Sequence, residues 1–198
     1  MTVEGRVAGT ADDGRVRCGW AVQSGDPLYR DYHDTEWGRP LRDSAALFER
    51  ISLEAFQSGL SWLVILRKRE NFRVAFDGFD AGLVAEYTDD DIERLMADSG
   101  IVRNRAKIVA TIANARAVAD LDVDLSELLW SFAPEARPRP ADLGQVPAVT
   151  PESTAMAKEL KRRGFKFVGP TTAYALMQAT GMVDDHVAAC WVPAAAQK

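Results

Sequence analysis

The 198 residues contain two cysteines and two histidines, and these fall as one Cys/His pair near each end: Cys18 with His33, and His186 with Cys190. Two thiolates and two imidazoles make a complete tetrahedral zinc set, and four protein ligands would leave no open position for activating a water, so such a metal would be structural. His186 and Cys190 are four apart, a spacing that one helix face can present; Cys18 to His33 is looser. A bound zinc would tie the N-terminal segment to the C-terminal one. The competing reading is a pair of inert buried thiols and two satisfied core histidines.

Glu54 is a second anomaly. The apolar spacing of Leu47, Ile51 and Ala55 predicts a helix with one buried stripe, and at 100° per residue Glu54 falls at about −20° from Leu47, inside that stripe. An ionised carboxylate buried without a partner is very costly, so Glu54 is either ion-paired, protonated with a raised pKa, or facing a ligand. Trp20, Tyr29, Tyr32, Trp37 and Trp62 lie in the same third of the chain. Most aromatics are core residues, but an aromatic cage around a carboxylate also suits a flat cationic ring, which stacks on π faces and donates hydrogen bonds to the acid.

The third feature runs from Arg162 to Ala173, through Gly164-Phe165-Lys166-Phe167-Val168-Gly169-Pro170-Thr171-Thr172. A basic helix end, a glycine-bounded turn and a new helix start read as a helix-hairpin-helix. Its free amides at Gly169, Thr171 and Thr172, with Lys166, suit a nucleic-acid phosphate bound without sequence readout. The alternative is an ordinary helix-helix corner. Lys158, Lys161, Arg162, Arg163 and Lys166 supply a local positive field. The chain as a whole does not, with a net charge of −5 and a pI near 5.1.

These side chains need helices to hold them. Helical periodicity recurs between cap signals and alternating strand patterns are scarce, so the expected fold class is all-α. One helix should start after Asp43 and end near Ser58-Gly59. A second is capped by Ser61 and stops near Gly78. Thr88 with Asp91 forms a capping-box pattern, Gly100 fits a C-terminal cap, and helices are expected around Ile108–Ala119, over 124–132, and from Thr150-Pro151 through Leu160. Residues 1–16 read as a disordered extension and 17–198 as the folded unit, with two packed helical lobes joined by a proline-rich connection over 133–151. With 47% hydrophobic residues the chain can build a sizeable core. The sequence has no apolar run of membrane-spanning length and no signal-peptide pattern, so a cytoplasmic location and no membrane partner are expected, with a monomer as the default.

The stretches Arg17-Cys18-Gly19-Trp20, Tyr32-His33-Asp34-Thr35-Glu36-Trp37-Gly38, Leu53-Glu54, Gln57-Ser58-Gly59-Leu60-Ser61-Trp62, Lys68-Arg69-Glu70-Asn71-Phe72, Gly164 to Gly169 and Asp185-His186-Val187 resemble, in order and spacing, the DNA-3-methyladenine glycosylase I (Tag) family. The resemblance spans about residues 17 to 191. It implies a helix-hairpin-helix glycosylase fold, zinc on Cys18, His33, His186 and Cys190, and monofunctional excision of N3-methyladenine from alkylated double-stranded DNA, releasing the free base. By the same resemblance Glu54 reads the base, Tyr32 and Trp62 are stacking walls, and Trp20, Tyr29 and Trp37 line the pocket. Leu60 would be a wedge in the base stack, or else a loop anchor in the core. Asp184 stands where related glycosylases of the superfamily carry a catalytic aspartate and where Tag proteins often have Asn. It either serves the chemistry or caps a helix bearing His186. Two other readings are a catalytically silent helix-hairpin-helix DNA-binding module and a zinc-stabilised pocket for a small cationic aromatic.

Overall fold

The computed structural model describes residues 7–194. They form ten α-helices and one short hairpin of two antiparallel strands. The hairpin, β1 (Ala8–Thr10) and β2 (Val16–Cys18), precedes α1 (Gly19–Gln23) and α2 (Pro27–Thr35). Next come α3 (Ser44–Gln57) and α4 (Trp62–Ala75), then α5 (Ala81–Ala85), α6 (Asp89–Ala97), α7 (Arg105–Ala119) and α8 (Leu125–Trp130). The last pair is α9 (Pro151–Arg162) and α10 (Pro170–Ala179).

Local chemistry sets the boundaries. Asp43 accepts from the Ala46 amide at the start of α3, and Asn104 from Lys107 at the start of α7. The capping box of Thr88 and Asp91 opens α6, and Thr150 with Ser153 and Pro151 opens α9. α6 stops before Gly100: its C-cap is Asp98, whose side chain accepts from the Gly100 amide at 2.7 Å.

α3 is the central element and contacts α4, α7, α8 and α10. Every residue from Leu47 to Phe56 except the half-buried Glu49 is buried. Instead of one apolar stripe, this helix has neighbours on all sides: Phe56 packs with Phe72 and Phe76 on one side while Glu54 faces a pocket on another.

Two expectations need correction. Residues 7–16, within the expected disordered extension, are ordered as β1 and the turn into β2; residues 1–6 lie outside the described residues. The hairpin is held by charge, which hydropathy does not register. The buried Arg17 guanidinium binds Asp13 at 2.7 Å and Asp34 at 2.7 Å, and the Trp191 amide donates to Val16 O at 2.8 Å. The fold is mostly helical, as expected, with one small hairpin. Finally, His186 to Cys190 is not a helix: the segment is a turn, closed by the Cys190 amide on Val187 O. The proline-rich stretch is an ordered strap with one 3-10 turn at Leu143–Gln145. Arg137 and Arg139 anchor it to Asp185 and Asp184, and Pro140 O accepts from the Ala188 amide.

Candidate functional site

Helices α1, α2, α3 and α4 converge on a pocket of about 380 Å³. The five aromatics singled out from sequence, Trp20, Tyr29, Tyr32, Trp37 and Trp62, all line it, together with Glu54. The remaining wall is Gln57, Ala175 and Gln178 from α3 and α10, and Leu143 and Val146 from the proline-rich strap.

Tyr32 and Trp62 meet at 5.4 Å with their planes inclined by 43°, so they form a corner of the pocket and not a parallel sandwich. Trp20 packs on Tyr29 at 4.8 Å and edge-on to Trp37 at 5.2 Å. Glu54 is 6% exposed and makes no hydrogen bond to any described residue. Burial pushes its carboxyl up to about 7, against the opposing field of the Arg50 guanidinium. Burial likewise raises the Tyr29 phenol to about 12. The Trp62 indole N–H is also buried without a partner. The pocket thus leaves one acceptor and one donor unsatisfied, which is the usual preparation for a polar flat ligand.

Leu60 stands at the tip of the turn between α3 and α4 and is 41% exposed, so it is not a core anchor. Gly59 permits the turn at φ 82°, and Lys107 of α7 ties it down by donating to Phe56 O and Ser58 O.

The α9–α10 corner has hairpin geometry. Gly164 turns at φ 97°, Phe165 and Val168 are buried, and Phe167 is exposed at φ 55°. Asn114 of α7 clamps the loop backbone, accepting from Lys166 N at 2.7 Å and donating to Lys166 O at 3.1 Å. Gly169 is the N-cap of α10 and supplies no side-chain capping bond to the first-turn amides, Thr171 and Thr172 among them. The positive patch is narrower than the sequence suggests. Arg162 and Arg163 are paired with Glu159 and Asp122, whereas Lys158, Lys161 and Lys166 are exposed and without ion pairs.

On the far side of His33, the ligand atoms of Cys18, His33 and Cys190 all lie within 4.8 Å of one another and are buried. His186 is outside that trio, but its ring centroid is 5.0 Å from that of His33, and its Nε2 is buried with no hydrogen-bond partner. Each histidine has Nδ1 against a carboxylate, His33 on Asp34 at 2.8 Å and His186 on Asp184 at 2.9 Å. Asp184 does not line the pocket. Its carboxylate is engaged by Arg139 at 2.8 Å and by the His186 ring and amide. With no helix at His186, the expected helix cap becomes a turn cap.

The family model for methyladenine glycosylase matches residues 20–193. The chain belongs to the methyladenine glycosylase family. DNA-3-methyladenine glycosylase 1 of Escherichia coli (strain K12) is 48% identical over 180 residues, covering 88% of this chain and 95% of that protein. A crystal structure of 3-methyladenine DNA glycosylase I superposes with a TM-score of 0.84 at 48% identity, covering 88% of this chain and 98% of the other. A tyrosine-to-phenylalanine variant of 3-methyladenine DNA glycosylase I, crystallised in complex with 3-methyladenine, superposes with a TM-score of 0.83 at 36% identity, covering 87% and 96%. Among the described residues, no helix of this methyladenine glycosylase is long and apolar enough to cross a membrane.

Sequence reasoning missed several residues of this glycosylase's site. Arg50 sits one turn before Glu54 on α3, a spacing that was available to read. Leu143 and Val146, an apolar pair three apart inside the proline-rich stretch, passed as spacer. Lys107 and Asn114 carried no local signal, because each acts across more than 45 residues of sequence.

Proposed function

We propose that this chain hydrolyses the N-glycosidic bond of N3-methyladenine in alkylated duplex DNA, as a monofunctional glycosylase of base excision repair. The observation that carries the reading is the buried, unpartnered Glu54 in a pocket walled by five aromatic residues. N3-methylation puts positive charge on adenine and makes it a good leaving group, so little acid catalysis is required. Once the nucleotide is flipped, the corner of Tyr32 and Trp62 holds the ring, and Trp20, Tyr29 and Trp37 complete the cage. Glu54 accepts from the edge of the base and holds the departing ring, which takes the bonding electron pair and becomes neutral as the bond to the sugar lengthens and the positive charge passes to the sugar. Water then attacks the sugar carbon. Among the described residues no lysine lines the pocket, and we expect neither a covalent sugar intermediate nor strand cleavage.

Leu60 fills the gap left in the base stack, and the hairpin grips the phosphate backbone through Lys166 and the amides at Gly169, Thr171 and Thr172. Such contacts position the enzyme without selecting sequence, which suits a search for lesions on any duplex.

The donor set of Cys18, His33, Cys190 and the orphaned His186 Nε2 fits a tetrahedral zinc. Bound there, zinc would crosslink the hairpin end of the chain to its C-terminal turn. Asp34 and Asp184 fix both imidazoles by their Nδ1 atoms, leaving Nε2 for the metal. Asp184 therefore acts through His186, at the support and not at the sugar.

The test is chromatography of bases released from alkylated duplex DNA. Selective release of N3-methyladenine over N7-methylguanine supports the reading. Indiscriminate release would mean that the cage selects charge and not adenine, and no release by folded protein would leave a silent DNA-binding module.

A further inference from the structure

Arg50 is a guanidinium that the base-reading chemistry does not obviously need. It is 7% exposed, in the interior of α3, one helical turn before Glu54. Its Nη1 donates to the Tyr32 hydroxyl at 3.0 Å, and its guanidinium carbon lies 5.3 Å from the ring centroids of both Tyr32 and Trp62. It has no full carboxylate partner. Glu36 approaches only to 3.5 Å and is already bound by Arg69 at 2.6 and 2.9 Å. A buried cation without its own counterion is expensive unless a nearby anion compensates it. The remaining anion on that face is Glu54.

We infer that Arg50 is a positioning residue of the base-reading site: it fixes the Tyr32–Trp62 corner from behind and supplies the field that holds the Glu54 carboxylate anionic beneath a cationic base. The inference rests on the reading of Glu54 given above. Other charged groups around Glu54 are accounted for. From α2, the Tyr29 and Tyr32 phenols are both raised by burial and stay neutral, and Glu36 is neutralised by Arg69 of α4. On α3 itself, Glu49 is paired with Arg73 of α4. α10 presents the uncharged Gln178, whose amide is bound to Asp185, and the strap presents Leu143 and Val146. Among the described residues, Arg50 is thus the one charge that opposes the desolvation of Glu54.

This assigns a pH profile. Alkylated adenine in DNA is cationic across the range, so a transition in the release rate reports on the enzyme. Single-turnover release by the wild type should rise through a transition near pH 7 as Glu54 ionises. In Arg50→Met, and in Arg50→Gln should the first variant not fold, the transition should move up by about one pH unit, while Arg50→Lys stays near the wild type. Glu54→Gln should be slow and lack the transition. If release by the Arg50 variants is too slow to follow, carbon-13 NMR of the Glu54 carboxyl gives the same midpoint. A charge-removing variant whose midpoint coincides with the wild type, while Glu54→Gln lacks the transition, overturns the role of Arg50. A transition that persists in Glu54→Gln overturns the reading of Glu54 instead.

Discussion

Asp184 Oδ1 lies 2.9 Å from Nδ1 of His186 and its other oxygen 2.8 Å from Arg139, so this aspartate faces the C-terminal turn and not the base pocket. Burial works to raise its carboxyl, but the hydrogen bonds from His186 and Arg139 hold it below the usual range. Asp184→Asn keeps the shape but removes the charge opposite Arg139 and His186. We expect a stability loss of about 1–3 kcal/mol and a weaker metal site, with release per folded molecule within about tenfold of the wild type. Thermal denaturation beside single-turnover kinetics checks both; a loss of several hundredfold at unchanged stability would place Asp184 in the chemistry.

Glu54 should cost the fold stability at neutral pH. Its folded-state carboxyl is raised from 4.5 to about 7, so it binds its proton more tightly folded than unfolded. The resulting stability is fully present below about 4.5 and is lost as pH rises through about 7. Glu54→Gln removes that dependence, so at pH 8 the variant should be more stable by on the order of 2–3 kcal/mol. Chemical denaturation at pH 5 and pH 8 measures it, and an equal effect at both would mean that Glu54 is not desolvated as described.

Leu60 offers a separation of binding from stacking. Because it is exposed, Leu60→Ala should change stability by less than about 0.5 kcal/mol. Release from duplex DNA should fall on the order of ten- to a hundredfold, since the gap in the stack is left unfilled. Binding of free 3-methyladenine, followed by tryptophan fluorescence, should not change. A variant that loses both would show that the loop shapes the pocket itself.

The donor set predicts zinc in the purified protein. Cys190→Ser should lower the metal content and the thermal stability together, and chelation of the wild type should reproduce the effect. Elemental analysis that finds the same metal in both proteins would remove Cys190 from the site.

Much of this site is legible in sequence because its parts are local. The carboxylate four residues before Ser58-Gly59, the glycine-bounded hairpin and the His186/Cys190 pair each signal within a few residues. What escapes is what acts across the chain. The strap that brings Leu143 and Val146 to the pocket is fixed by Arg137 and Arg139 on Asp185 and Asp184, ion pairs spanning more than 40 residues. The order of residues 7–16 depends on Arg17 between two aspartates, and the wheel argument for Glu54 pointed correctly although α3 is buried nearly all round. The helical spacing of His186 and Cys190 misled for a related reason. The two residues lie in a tight turn closed by the Cys190 amide on Val187 O, which a spacing of four does not distinguish from a turn of helix.

On the function proposed above, a buried carboxylate in an aromatic cage selects and releases the alkylated base. The most direct test of this is the release of N3-methyladenine from alkylated duplex by wild-type and Glu54→Gln protein, each shown to be folded and to bind undamaged duplex equally. Selective release by the wild type and a loss of at least about a hundredfold in the variant are expected. Equal release rates would contradict that function, leaving the cage without the charged group on which its selectivity is built.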